Sequence, residues 1–302
     1  MSPRERVAAI DVGSNTILLT VAEYDPAGGL VTIEEGEDQP RLAAGLSTSG
    51  RLTEEAMGRA METLARMGET CRRHGVESVA AVATAAVREA ANGPEFVGRV
   101  RAIGIPLRII SPEKEASLSY RSAAHHFPGN DPMLVADIGG GSLELIGAAA
   151  GRVQWSQSLP LGAVRLTELR LSLQKLQEHI ARTLEQAIPA PEWLGRRVIG
   201  SGGTFATLAA LALTRRRAAN RHIHGTTVSG AELTELLEML AGLSPEQRRQ
   251  TPGLKPERAD IIVAGLAAVA EVLRAAGAND VTVSGFGLRD GLLLEMVGGY
   301  SP

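Results

Sequence analysis

Two short segments concentrate residues that can do chemistry. Asp11-Val12-Gly13-Ser14-Asn15-Thr16 and Asp137-Ile138-Gly139-Gly140-Gly141-Ser142 lie 126 residues apart. Glycines in a tight turn let the backbone come close to a ligand. Successive N–H groups there form a concave nest for phosphate oxygens. An aspartate at the edge of such a nest can hold a divalent cation, directly or through water, beside those phosphates. One Asp-x-Gly turn is as readily a plain hairpin. Two of them, with a third glycine loop at Gly200-Ser201-Gly202-Gly203-Thr204, form a far more specific pattern for binding phosphate.

The flanking residues indicate how the turns are held. Residues 7–10 and 133–136 are apolar and read as buried strands, and residues 17–22 and 143–147 follow as their hairpin partners. A motif used twice suggests two related domains facing each other. Between the hairpins helix and strand alternate. The spacing of Met57, Met61, Leu64, Met67 and Cys71 predicts a helix over residues 53–73, with Thr53 as its cap. Strands are expected at 76–83, 107–110, 197–199 and 280–284, and helices at 95–103, 167–187 and 258–276. Ser111-Pro112 and Ser244-Pro245-Glu246-Gln247 read as helix starts. The alternation argues for α/β layers.

Composition sets the outer bounds. The 302 residues are enough for two domains, and 44% hydrophobic with 22% charged residues is a globular balance. No apolar run is long enough for a membrane helix, and the N-terminus lacks a signal-peptide core. A single cysteine excludes an intrachain disulfide and a cysteine zinc site. A cytoplasmic protein is expected, with no membrane partner. The net charge of −3 gives no general signature of nucleic-acid binding.

The two Asp-Gly turns resemble the phosphate loops of the actin, hexokinase and Hsp70 superfamily. Further segments narrow the resemblance. Ala83-Thr84-Ala85-Ala86-Val87-Arg88-Glu89-Ala90-Ala91-Asn92, Glu113-Lys114-Glu115-Ala116 and Asp137 to Glu144 are similar to the exopolyphosphatase and guanosine pentaphosphate phosphohydrolase (Ppx/GppA) family. Ile223-His224-Gly225 and Gly287-Leu288-Arg289-Asp290-Gly291 fit as well. The resemblance covers essentially the whole chain and is to the short, two-domain members. It implies two ribonuclease-H-like domains with an interdomain cleft, placed at 1–117 and 118–302, the last helix packing back on the first domain.

The resemblance also implies roles. Glu115, 22 residues before Asp137, would be the general base that activates water for attack on a terminal phosphoryl group. Asp137 and Glu144, with Asp11, would hold Mg2+. Arg88 and Asn92 would bind phosphate oxygens. Backbone amides of Gly13, Ser14 and Asn15, and of Gly139, Gly140, Gly141 and Ser142, would cradle the phosphates. The implied reaction removes terminal phosphate from inorganic polyphosphate. Hydrolysis of pppGpp to ppGpp shares the chemistry and stands as the alternative. An ATP-dependent kinase of the superfamily would need a nucleoside pocket near Gly200 to Thr204. A silent polyphosphate or nucleotide sensor would not need an intact Glu115, Asp137 and Glu144.

Three residues depart from the family pattern. Pro112 replaces a usual glycine, Lys114 a usual acid and Leu143 a common threonine. Pro112 suits a first helical position. Lys114 either meets a polyanion or is a solvated surface cation. The Arg215-Arg216-Arg217 run and Arg221 could line a phosphate path or form a solvated charge run. His222 and His224 read as a strand-end feature rather than a metal pair. The chain stops soon after Gly291, so a short phosphate path is expected, with short oligophosphates cleaved at least as well as long ones. A homodimer could lengthen that path across two subunits.

Overall fold

The computed structural model describes residues 5–25, 29–188, 196–220 and 222–298. They form two compact units. Unit one takes in the chain up to Ser122 and again from Leu288, and unit two runs from Ala123 to Gly287.

Unit one contains β1 (Glu5–Val12), β2 (Ile17–Asp25), β3 (Gly29–Asp38), α1 (Leu46–Ser49), α2 (Glu54–Arg73), β4 (Ser78–Ala83), α3 (Ala85–Glu89), α4 (Gly93–Ala102) and β5 (Leu107–Ile109). Helix α5 (Pro112–His126) carries the chain out of it, so both the expected boundary after residue 117 and the unit change after Ser122 fall inside one helix. The sheet order is β3-β2-β1-β4-β5. Alternation along β1 sends Ala8, Ile10 and Val12 into a core against α2 and α4, which contribute Met57, Leu64, Phe96 and Val100. Val7 and Ala9 face the other way, onto Leu118 of α5 and Leu288, Leu292 and Leu293 near the C-terminus.

Unit two contains β6 (Met133–Ile138), β7 (Leu143–Ala149), β8 (Arg152–Leu159), α6 (Ala163–Glu168), α7 (Leu173–Glu185), β9 (Arg197–Ser201), α8 (Gly203–Arg215), β10 (Thr227–Ser229), α9 (Gly230–Ala241), α10 (Pro245–Arg249), α11 (Ile262–Ala275) and β11 (Asp280–Val283). Its order is β10-β11-β9-β6-β7-β8. Read from β8 to β11, this repeats the order of unit one. In each unit an antiparallel three-strand meander is followed by a strand parallel to its first. Two ribonuclease-H-like α/β sheets thus serve as scaffolds, each opening on one Asp-Gly turn.

Two helix expectations need correction. The periodic stretch 167–187 is broken into α6 and α7, because Arg170 turns left-handed (φ 51°) and the Ser172 side chain caps a new helix at Lys175. The stretch 258–276 starts later, at Ile262, after a 3-10 turn at Pro256–Arg258. The caps at Thr53 and Ser244 are as expected, the latter as a reciprocal capping box.

Candidate phosphate and metal site

In unit one the β1–β2 hairpin pairs Val12 with Ile17, which leaves residues 13–16 as the turn. The Gly13 amide donates to Thr16 O at 3.0 Å. It closes the turn and is not open to a phosphate, which corrects the role implied for it. Ser14 O accepts from Ala43 N (2.8 Å) and Asn15 O from Arg41 N (3.0 Å). In a trans peptide the N–H points opposite its C=O. The amides of Asn15 and Thr16 therefore face away from the 41–43 loop, as a phosphate nest requires. The Thr16 amide was not anticipated. The Asn15 side chain is held by Gln39 Oε1 (3.2 Å) and Thr16 Oγ1 (3.3 Å).

Glu115 stands in the first turn of α5, whose Ser111 cap accepts from Lys114 N at 3.2 Å. Its carboxylate is buried and accepts from Arg88 Nη1 at 2.9 Å, while the same nitrogen donates to Ile110 O at 3.0 Å. The structure thus brings Arg88 and Glu115 together as a shielded ion pair. Asn92 is corrected. Its Oδ1 accepts from Leu52 N (2.8 Å) and its Nδ2 donates to Leu52 O (2.9 Å), so a buried amide pins the 52 loop and has no end left for phosphate. Replacing Asn92 with Ala strands both Leu52 groups, at a cost of about 1–3 kcal/mol. The melting temperature is expected to fall by several degrees with substrate KM at the wild-type level. A raised KM at unchanged stability would restore the phosphate role.

Asp11 lies on the β1 face that carries Val7 and Ala9. Its field acts on Arg289 at the start of α12 (Leu288–Met296). Arg289 donates to Leu19 O (2.6 Å) and Thr20 Oγ1 (2.8 Å). Burial pulls its pKa down, and Glu35 and Asp11 oppose that shift. Asp290 accepts from Ser122 Oγ at 3.0 Å, and Gly291 is packed so tightly on the Leu118 carbonyl that a Cβ would overlap it. Residues 289–291 thereby pin the C-terminal helix onto β2 and α5 within unit one.

In unit two the Gly139 amide again closes its turn, on Ser142 O at 3.0 Å. The next three carbonyls are taken from one side. Gly139 O accepts from Ala163 N (2.9 Å), Gly140 O from Val164 N (2.9 Å), and Gly141 O from Arg165 Nε (2.9 Å). The amides of Gly140, Gly141 and Ser142 consequently point to the opposite side, three donors in succession. Gly162 makes this possible. A Cβ there would overlap Gly140 O, the Gly141 carbonyl carbon and Ser142 N. Neither Gly162 nor Arg165 carried any signal in the sequence.

Strand register builds the acidic part of the site. Ser158 opposes Glu144, Glu144 opposes Asp137, and Asp137 lies beside Ser201, giving one polar row across β8, β7, β6 and β9. Glu144 is 3% exposed and accepts from Ser158 Oγ at 2.8 Å. Two carboxylates directly opposite one another repel unless a cation lies near. Ser201 Oγ adds a buried hydroxyl with no hydrogen-bond partner among the described residues. These are hard oxygen donors, suited to a divalent ion that keeps waters and substrate oxygens in its shell. Among the described residues no group of three His, Cys, Asp or Glu is placed to hold an ion by itself.

The third glycine loop presses against this row. Gly202 has φ 90°, and a Cβ on it would come within 2.7 Å of Asp137 Oδ1. Gly203 lies under the Arg258 guanidinium, a neighbour that sequence reading did not single out. Of the other candidates, Arg215 pairs with Glu235, and Arg216 pairs with Glu232 and donates to Thr227 O. Both tie the α8 end to α9 and its preceding strand. Arg221 lies outside the described residues. His224 packs on Phe127 and Phe286, and His222 is exposed.

Open amide turns, a shielded glutamate–arginine pair and a carboxylate row, carried on two α/β sheets of matching strand order, suit a phosphoryl-handling enzyme. The family model for the Ppx/GppA phosphatase family matches residues 20–299. Exopolyphosphatase 2 of Mycobacterium tuberculosis is 33% identical, the alignment covering 97% of this chain and 99% of that one. An exopolyphosphatase structure from Cytophaga hutchinsonii superposes with a TM-score of 0.89 at 27% identity, over 98% of this chain and 99% of the other. The Aquifex aeolicus Ppx/GppA family member gives 0.80 at 29% identity, over 99% of this chain and all (100%) of that one. The chain belongs to the Ppx/GppA phosphatase family, and it is a phosphohydrolase. No helix among the described residues is long and apolar enough to cross a membrane.

Proposed function

We propose that this enzyme removes the terminal phosphate from inorganic polyphosphate by magnesium-assisted attack of water, in the cytoplasm. Glu115 takes the proton of the attacking water. Asp137 and Glu144 hold Mg2+, which neutralises phosphate charge. The amides of residues 14–16 and 140–142 receive phosphate oxygens. Phosphoryl transfer asks the protein mainly for positioning and charge compensation, and these groups offer both. Arg88 has two uses in this scheme: it holds the Glu115 carboxylate in place and lends positive charge to an incoming phosphate. Asp11, whose charge acts on Arg289, adds a further carboxylate for Mg2+.

The observation that carries the reading is the buried Arg88–Glu115 pair on α5, in a chain that matches the family along nearly its whole length. The kinase reading is disfavoured by the third glycine loop. Arg258 covers Gly203 and the Phe205 ring is pressed on Gly200, where a nucleoside pocket would have to open. Phosphate release with magnesium should be measured in parallel from tripolyphosphate, long-chain polyphosphate, pppGpp and ATP. Polyphosphate is expected to be the best substrate. Faster release from pppGpp would favour the nucleotide reading, and ADP formation with transfer to an acceptor would favour a kinase.

A further inference from the structure

The carbonyls of the 139–142 turn in unit two are held by two kinds of donor. Gly139 O and Gly140 O accept from main-chain groups of α6, namely Ala163 N (2.9 Å), Val164 N (2.9 Å) and Arg165 N (3.2 Å). Ala163 and Leu166 of that helix are buried in the core of unit two, so packing fixes these donors. Gly141 O has a different partner. It accepts from a side chain, Arg165 Nε, at 2.9 Å. The group that holds this carbonyl also sets the Ser142 N–H, because the two lie on opposite edges of one trans peptide.

That peptide is the one most in need of holding. Gly141 carries no Cβ to keep it in a single orientation. On its far side Ser142 O is tied to Gly139 N at 3.0 Å, so the next peptide is already fixed. If the 141–142 peptide turned over, an anion in the turn would meet a carbonyl oxygen in place of an N–H donor. The guanidinium does more than restrain it. A charged donor on a carbonyl draws electron density to that oxygen and makes the N–H of the same peptide a stronger donor.

We infer that Arg165 is a positioning residue for phosphate: it holds and polarises the Gly141–Ser142 peptide so that the Ser142 N–H receives a phosphate oxygen. Arg165 acts through the backbone and not by contact with the anion. The role rests on the reading of this turn as a phosphate nest. It assigns the three amides different supports. Those of Gly140 and Gly141 depend on the main chain of α6, and that of Ser142 depends on one side chain.

The test reads single backbone amides by NMR. Tripolyphosphate, without magnesium so that it is not turned over, is titrated into the wild type, Arg165→Met and Arg165→Lys, each isotope-labelled at glycine and serine nitrogen. In the wild type the Gly140, Gly141 and Ser142 N–H signals are expected to move downfield together. Arg165→Met keeps the stem and loses the donor. Its Ser142 shift is expected to be lost while those of Gly140 and Gly141 remain, and its Kd to rise ~10-fold. Arg165→Lys keeps a charged donor and is expected to recover most of both. An unchanged Ser142 shift and Kd in Arg165→Met, even with a lower melting temperature, would make Arg165 a staple of α6 and overturn the inference. The wild type gives a second reading that stands if Arg165→Met does not fold. Its Arg165 Nε–H signal is expected to shift together with Ser142 as tripolyphosphate is added, and a signal that stays in place overturns the positioning role. Phosphate release by the wild type with magnesium separates the underlying questions. Release with Ser142 shifts independent of Arg165 sinks the positioning role alone. Arg165-dependent shifts without release sink the phosphohydrolase reading alone. No shift at any of the three amides in the wild type removes phosphate from this turn, and the positioning role with it.

Discussion

Glu115→Gln is expected to lower turnover by ~10²-fold or more while polyphosphate still binds. Gln keeps the size of the side chain and an oxygen for Arg88 Nη1, now 2.9 Å from the Glu115 carboxylate. It cannot accept the proton of an attacking water. The substitution also removes a negative charge from a buried position close to where phosphate is to be held, so substrate affinity should be equal or higher. The effect should therefore appear in kcat, with KM unchanged or reduced. Steady-state phosphate release and direct polyphosphate binding check the two halves separately. Near wild-type turnover would mean that Glu115 is not the base. Parallel loss of binding and turnover would mean that its work is to hold Arg88 in place.

Removal of divalent metal should have an effect of similar size. Excess chelator is expected to take phosphate release to background and added magnesium to restore it. Asp137→Asn should raise the magnesium concentration needed for half-maximal activity by ~10-fold or more, because one of two facing carboxylates loses its charge. The row geometry adds a readout independent of activity. Asp137 and Glu144 are directly opposed across β6 and β7, so magnesium should raise the melting temperature of the wild type more than that of Asp137→Asn. Undiminished activity in chelator would remove the metal from the reaction. Zinc is not expected to substitute, since the row offers only oxygen donors.

The cost of facing carboxylates helps explain the packing around them. Ser158 engages Glu144, and Gly202 brings the backbone of the third loop against Asp137. Opposite the row, Leu134, Ala136 and Ile138 are fully packed in the large apolar core of unit two. β6 thus carries the acidic row on one side and the apolar core on the other, a division that follows from the two-residue period of a strand. The same division runs through β1, with Ile10 in the core and Asp11 on the face next to Arg289.

Taken alone, the sequence determined the parts of this protein that are decided within a few residues. The two Asp-Gly turns, the helix over 54–73, the Ser111 and Ser244 caps and the alternation of strand and helix all follow from local backbone preference and hydrophobic period. The motifs around Arg88, Glu115 and Asp137 were enough to point to the family. Only the tertiary structure decided what those residues touch. Arg88 meets Glu115 across 27 positions, Asn92 is taken by Leu52 across 40, and Lys114 reaches Glu295 across 181. Strand register, not spacing, aligned Ser158, Glu144, Asp137 and Ser201. Close backbone approach made Gly162 indispensable to a turn more than twenty residues earlier. The break between α6 and α7 shows the same limit at short range, since an unbroken apolar period gave no sign of the left-handed residue at Arg170. Period, cap and turn chemistry are local energies that a sequence displays. Register and side-chain pairing are fixed by the simultaneous packing of elements far apart in the chain, which no local pattern encodes.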